Sequence, residues 1–322
     1  MGETPGSPPV SRKRQRSAQQ ARGSPEMVCN NVLHVIDREC LREASHRPQK
    51  SSAPGMAHVT AQQYAERLDE NLRDRHERRR ATRSVAPPVE RVWIEQADGK
   101  TRPRGTPCFE DTSVQRAVVR ILAAIVAQDF PACSHGFRKG HRPHHARHEL
   151  REPCRTLPIH WRVDAEVRGC CDNVDWSHLR QCIQQRGSAG GIRRLIGTWL
   201  HAGVLEAGEL RHPAKGTPQG GVSSPMLAKV CLHHVLDEWF VKDVLPRMQG
   251  HGVLTRVADD CIIGCEREAD ARRRMAVLPQ RFTRVRLTMH PEKTALIVFK
   301  RPPSQDRSAG GTGTFALLGF TP

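Results

Sequence analysis

Apolar residues recur along this chain in two rhythms. At spacings of three and four, Val114, Ala117, Val118, Ile121, Leu122 and Ile125 form one helical stripe. Leu232, Val235, Leu236, Trp239 and Phe240 form a second. The same rhythm predicts helices over about 176–186, 191–202 and 267–283. It also predicts a helix over 27–45, through Val28, Val32, Leu33 and Ile36, and a highly charged surface helix over 60–83, with Tyr64, Leu68 and Leu72 on its stripe. Asp111 or Thr112 is a candidate cap for the 114–125 helix. The other rhythm is strict alternation. Trp161, Val163, Ala165 and Val167 fall on one face of a strand, with Arg162, Asp164 and Glu166 on the other, so that strand is half-buried with an acidic outer face. Val92-Trp93-Ile94 begins another strand, and Asp98-Gly99 is a hairpin signal. The run from Leu254 to Gly264 predicts a strand, a tight turn carrying Asp259 and Asp260, and a second strand. Short strands are expected at 295–299 and 315–320. Helices interspersed with hairpins make the expected class α+β, with an antiparallel sheet flanked by helices.

Composition narrows the partner. Fifty-one Lys and Arg against 34 Asp and Glu leave a net charge of +17. That excess points to a polyanion, most simply nucleic acid. A membrane surface is the competing polyanion, but no apolar run approaches the ~20 residues of a bilayer span, and the polar N-terminus has no secretory core. A cytoplasmic protein without a membrane partner is expected. Residues 1–26, rich in Ser, Pro, Gly, Arg and Gln, cannot bury apolar surface and are expected to form a disordered basic tail. The eleven cysteines include no Cys-x-x-Cys, which argues against a structural zinc site of the usual spacing and for reduced thiols.

The adjacent acids carry the strongest chemical hint. Two negative charges concentrated at a hairpin tip repel unless a cation is present, and divalent metal with phosphate is the usual reason to build such a tip. Taken alone the pair has a plainer reading, because Asp favours turns through local hydrogen bonds. His141, His144, His145 and His148 have helical spacing suited to a metal, but a solvated surface helix is the expected reading there.

The order of several motifs goes further. Gly99-Lys100-Thr101-Arg102-Pro103-Arg104-Gly105-Thr106-Pro107 precedes Ser134-His135-Gly136-Phe137-Arg138-Lys139-Gly140. The acidic strand then ends in Cys171-Asp172-Asn173-Val174-Asp175. Gly216-Thr217-Pro218-Gln219-Gly220-Gly221-Val222-Ser223-Ser224-Pro225, the acidic hairpin, His290-Pro291-Glu292-Lys293-Thr294 and Leu317-Leu318-Gly319-Phe320 follow. In this order the chain resembles the reverse transcriptases and maturases encoded by bacterial group II introns, from about residue 27 to the C-terminus.

The resemblance implies a fingers-like part over 27–160 and a palm over 161–322 that ends at a primer-grip-like turn, with the thumb missing. It implies RNA-directed DNA polymerisation: nucleotidyl transfer with two Mg²⁺ ions, Mn²⁺ being a possible substitute. The partners implied are an RNA template, with group II intron RNA foremost, a DNA primer and deoxynucleoside triphosphates. It assigns metal binding to Glu166, Asp259 and Asp260, and proton donation to pyrophosphate to Lys293. Lys100 and Arg102 would neutralise the triphosphate, Gln219 would meet the nascent base pair, and Cys171 would face the sugar.

The chain departs from the family pattern at three of these places. Val257 stands where the family has Tyr, Glu166 where it has the catalytic Asp, and Cys171 where a Phe excludes the 2′-hydroxyl. Glu is one methylene longer than Asp, and a displacement of about 1 Å at a reacting centre costs about 100-fold. Asp164, on the same strand face, is roughly 6.5 Å further along. Relatives continue into a thumb and maturase segment, so a missing thumb is part of the expectation. The alternative is a degenerate RNA-binding relative that catalyses poorly or not at all. A metal-dependent nuclease using the same acids is a weaker third reading, with no nuclease motif behind it.

Overall fold

The computed structural model describes residues 36–45, 54–80, 85–95, 101–186, 190–218 and 220–298, with isolated positions at 15, 19, 22, 23 and 99. Residues 27–35 of the helix predicted over 27–45, the basic tail, Lys100, Gln219 and the strand at 315–320 therefore fall largely or wholly outside the described residues. The chain forms two compact units that alternate along the sequence. The first comprises residues 1–129 and 176–227, the second 130–175 and 228–322.

In the first unit, α1 (Arg38–Ser45), α2 (Ala61–Glu66) and α3 (Leu68–Arg80) precede the hairpin β1 (Val89–Glu95) and β2 (Thr101–Thr106). The single charged helix expected over 60–83 is broken at Arg67 (φ −120°, ψ 40°), and Thr60 starts its first piece with a capping box to Gln63. The predicted stripe is real: Tyr64 and Leu72 are buried. Next comes α4 (Phe109–Val126), with Val114, Ala117, Val118, Ile121, Leu122 and Ile125 all buried, as the spacing requires. Its start differs from expectation. The cap position is Cys108, whose side chain makes no capping bond to the backbone, and Asp111 lies inside the first turn. Asp111 is buried and accepts from Arg75 Nη2 at 2.7 Å. An ion pair with α3 has claimed the carboxylate that sequence would assign to capping. The unit continues with α7 (Trp176–Arg186) and α8 (Gly190–His201), near their predicted bounds, and with β5 (Val204–Glu206) and β6 (Glu209–Arg211). Its sheet runs β2-β1-β5-β6, antiparallel except for the parallel pair β1–β5.

The second unit is built on a five-stranded sheet in the order β3-β7-β8-β4-β9. The strands are β3 (Ser134–His135), β4 (Trp161–Glu166), β7 (Gly252–Val257), β8 (Asp260–Cys265) and β9 (Ala295–Val298). From β7 to β9 the sheet is antiparallel, as the hairpins predict. Its other edge is not, because β3 joins β7 in parallel through Ser134↔Arg256 and His135↔Val257. The parallel edge follows from the long connection between these strands, since only adjacent hairpin strands are forced to run antiparallel.

Helix α5 (Pro143–Thr156) covers one face, with Leu150 and Cys154 on Ile262. Helix α9 (Ser224–Leu232), whose first turn belongs to the first unit, widens into π turns at His233–Asp237 and Phe240–Val244. The apolar stripe Leu232, Val235, Leu236 and Phe240 is buried through both wide turns. Helix α10 (Glu268–Thr283) packs against β4, β8 and β9 and buries Ala271, Leu278 and Phe282. The described cysteines are free thiols. Among the described residues no helix is long and apolar enough to cross a membrane.

A buried ion pair joins these parts. Arg256 of β7 has no exposed surface. Its Nε donates to Asp237 Oδ1 at 2.6 Å and its Nη2 to Asp237 Oδ2 at 2.5 Å. Nη2 also donates to Ser134 Oγ at 2.7 Å, and Nη1 to the Ala258 carbonyl at 2.7 Å. Burial alone would push the Asp237 carboxyl up, but the Arg256 guanidinium outweighs it and holds that carboxyl at about 2. Removing one partner strands the other charge inside the protein. Asp237→Ala is therefore expected to lower the unfolding free energy by about 3–5 kcal/mol. Urea denaturation at pH 7 measures this, and an unchanged midpoint would mean that the pair does not carry the fold.

Candidate functional site

The acidic hairpin closes through Val257↔Asp260, which leaves Ala258 and Asp259 as the two loop residues. Ala258 adopts φ 58°, a left-handed conformation that a Cβ-bearing residue rarely takes. The bond from Arg256 Nη1 to its carbonyl helps hold the strained turn. Gly136 packs beneath it: a Cβ there would meet the Ala258 nitrogen at 2.8 Å, so only glycine allows this approach. Lys229 of α9, itself buried, donates to the carbonyls of His135 and Gly136 at 2.5 Å each. Its Nζ also lies 4.7 Å from the centre of the Phe130 ring. Burial, reinforced by Arg256, pushes the Lys229 ammonium down to about 7.

On β4, Glu166 lies directly opposite Asp260, so the two side chains share one face of the sheet. Two backbone bonds extend β4 beyond Glu166. The Val167 N–H donates to the Asp259 carbonyl at 3.1 Å, and the His290 N–H to the Glu166 carbonyl at 2.8 Å. The second bond delivers the turn Pro291–Lys293, and Lys293 Nζ reaches both Glu166 oxygens, Oε1 at 2.8 Å and Oε2 at 2.7 Å. The bond with Glu166 raises the Lys293 ammonium above its ordinary value. The like charges register on Asp260. Burial first, then Glu166 and Asp259, push its carboxyl up to about 6.

Asp164 does not join this group. Its Oδ1 lies 2.7 Å from Arg162 Nε, and burial raises its carboxyl while Arg162 opposes the shift. Hard carboxylate oxygens from adjacent strands, crowded enough to raise the Asp260 carboxyl and already drawing a lysine cation, fit the donor chemistry of a divalent metal such as Mg²⁺.

In the first unit, Arg102 is exposed on β2. Gly220, described where Gln219 is not, is pressed onto the same strand. A Cβ on Gly220 (φ 98°) would meet the Gly105 carbonyl oxygen at 2.2 Å, which makes glycine obligatory there. Ser224 Oγ donates to the Pro218 carbonyl at 2.7 Å, and Trp176 Nε1 to the Gly216 carbonyl at 2.7 Å. Cys171 is half-buried in the short helix α6 (Cys170–Asn173), which follows β4 after three intervening residues.

Residues 94–321, well over half of the chain, match the family described as reverse transcriptase (RNA-dependent DNA polymerase). The chain belongs to the reverse transcriptases. It is 36% identical over 149 residues to the group II intron-encoded protein LtrA of Lactococcus lactis subsp. cremoris, covering 46% of this chain and 24% of that protein. It is 28% identical over 231 residues to protein YkfC of Escherichia coli (strain K12), covering 70% of this chain and 61% of YkfC. An uncharacterized 91 kDa protein in a cob intron of Schizosaccharomyces pombe is 29% identical over 169 residues, covering 52% of this chain and 20% of that protein. The chain thus spans less than two thirds of each of these relatives. These similarities make it a reverse transcriptase of the group II intron type.

Within this reverse transcriptase, the hairpin acids, Glu166 and Lys293 come together in the second unit, while Arg102 lies on β2 of the first, the strand whose Gly105 backs Gly220; Lys100 and Gln219 fall outside the described residues. Sequence reasoning passed over Arg256, Asp237 and Lys229. The signal was present as isolated charges inside apolar runs: Lys229 in Met226-Leu227-Ala228-Lys229-Val230 and Arg256 in Val253-Leu254-Thr255-Arg256-Val257. A charge within such a run is almost never buried unless paired.

The raised Asp260 carboxyl has a consequence for stability. The folded chain holds this proton more tightly than the unfolded chain, whose carboxyl titrates near 3.8. The contribution is fully present below that value and is lost as pH rises through about 6. Asp260→Asn is therefore expected to raise the melting temperature in metal-free buffer at pH 7.5 and to leave it nearly unchanged at pH 3.5. Melting curves at the two values test this, and an equal shift at both would remove the like-charge account.

Proposed function

We propose that the chain is the nucleotidyl-transfer part of a group II intron-type reverse transcriptase. In this reading the five-stranded unit is the palm and the β1–β2 unit is fingers-like. The carrying observation is Glu166 opposed in register to Asp260, beside a turn that bears Asp259. Glu166, Asp259 and Asp260 would hold two Mg²⁺ ions, with Mn²⁺ as a substitute, and the ions would supply charge stabilisation to an in-line displacement at phosphorus. Lys293 would exchange its bond with Glu166 for the departing pyrophosphate and donate a proton there. Lys100 and Arg102 would neutralise the incoming triphosphate, Gln219 would meet the nascent base pair and Cys171 would face the sugar. An RNA template, foremost a group II intron RNA, and a DNA primer would bind a protein of net charge +17 chiefly through their phosphates.

A second reading has specific support. With Glu166 tied to Lys293 and Asp164 tied to Arg162, the acids of β4 are engaged with cations of the chain itself. A relative that binds RNA and extends primers poorly is consistent with those pairs.

Primer extension on a homopolymer RNA template with Mg²⁺ or Mn²⁺ separates the readings. Asp259→Asn is expected to reduce extension by at least about 1000-fold, since several kcal/mol of charge stabilisation disappear. Glu166→Asp is expected to increase it, by up to about 100-fold. Extension that survives Asp259→Asn would remove the metal assignment, and salt-sensitive RNA binding without extension would favour the second reading. Cys171→Phe is expected to lower ribonucleotide incorporation relative to deoxynucleotide incorporation. Equal ratios for variant and wild type would sink the assignment of Cys171 to the sugar.

A further inference from the structure

We propose that His135, His141 and Glu149 form a second metal site, for a borderline transition ion such as Zn²⁺ or Co²⁺, distinct from the acidic hairpin. It is not the surface histidine row that the spacing of residues 141–148 suggested. His144, His145 and His148 are exposed on α5, whereas the grouped residues come from three separate segments. His135 ends β3 and is fully buried. The chain then reverses through Gly136 (φ 64°) and Phe137 (φ 48°) and brings His141 back onto it, ring centroids 5.3 Å apart and Nδ1 to Nδ1 at 3.3 Å. From α5, Glu149 Oε2 stands 3.2 Å from His135 Nε2. That buried nitrogen makes no aligned hydrogen bond. A buried polar atom left in this way carries a cost that needs an explanation.

One ligand atom from each of the three residues lies within 4.8 Å of the others. Metal–nitrogen and metal–oxygen bonds of about 2.0–2.2 Å make the edge of a tetrahedron about 3.3 Å. Small movements of the Glu149 chain and the His141 ring, both accessible to solvent, close the difference. Two imidazoles and one carboxylate suit zinc-like ions and leave a fourth position open. Magnesium prefers all-oxygen sites, so the two centres select different ions. The His135 and Gly136 carbonyls hold Lys229, and His135 pairs with Val257 beside the acidic turn. A bound ion would therefore fasten α5 to the strand edge on which that turn rests.

The full chain, stripped with chelator, is titrated with Co²⁺ alone and followed by visible absorption and by melting temperature. Saturable binding of one equivalent is expected, with tetrahedral ligand-field bands, no thiolate charge-transfer band and a higher melting temperature. His141→Ala and Glu149→Gln should each weaken binding by at least about 10-fold, as loss of even an orienting partner does. His144→Ala should bind as the wild type does. His141 and Glu149 lie outside the core, so their variants test the site even if a change at buried His135 prevents folding. Equal Co²⁺ binding in wild type and both variants, a thiolate band, or no saturable binding would overturn the proposal.

Discussion

A guanidinium taken wholly out of water must place its donors on fixed acceptors, and Arg256 places them on three elements at once. Asp237 of the α9 continuation receives two bonds, Ser134 of β3 one and the Ala258 carbonyl one. Such a pair adds little net stability over a well-packed apolar alternative, because desolvation opposes the attraction. What it supplies is position. The last bond reaches the strained residue of the acidic turn, so the tip is held by a charge rather than by turn propensity alone. Lys229 does the same one layer away, holding the carbonyls of His135 and Gly136, against which Ala258 packs.

On this fixed frame the acids are free to be uncomfortable. Glu166 and Asp260 face each other across adjacent strands, Asp259 follows the strained residue, and the crowding appears as a raised carboxyl at Asp260. Lys293 partly relieves it from outside the sheet, 57% exposed and able to leave. Arg162 draws Asp164 out of the group. The arrangement has one carboxylate fewer than the strand pattern alone suggests, and its remaining acids are balanced against an exposed cation. In the function proposed above, metal and phosphate would take the place of this lysine.

Much of this was legible from residues. The α4 stripe, the alternation of β4 and the acidic hairpin were read correctly because burial imposes a period, and a period survives in one dimension. The ordered motifs pointed to the reverse transcriptases for a related reason, since each is a short segment whose chemistry is local. The misreadings are of another kind. The spacing offers Asp111 or Thr112 as a helix cap, but the cap position is Cys108 and Arg75, 36 positions earlier in the chain, takes the Asp111 carboxylate. The charged helix over 60–83 breaks at Arg67, and the α9 helix widens into π turns while keeping its apolar stripe buried. No local spacing encodes these events, because each is decided by a partner distant in sequence.

The sequence by itself determined most of the described helices and hairpins, the α+β class and the family, because hydrophobic period, turn chemistry and motif order are local properties. Tertiary structure alone decided which charges are buried and with whom: Arg256 with Asp237, Lys293 on Glu166, Arg162 on Asp164, and His135 beside His141 and Glu149. It also decided that two compact units interleave along the chain and that a parallel edge, β3 on β7, completes the five-stranded sheet. The physical reason is the range of the forces involved. Periodicity acts over one or two turns of chain, whereas a charge removed from water must find its opposite wherever the fold brings it.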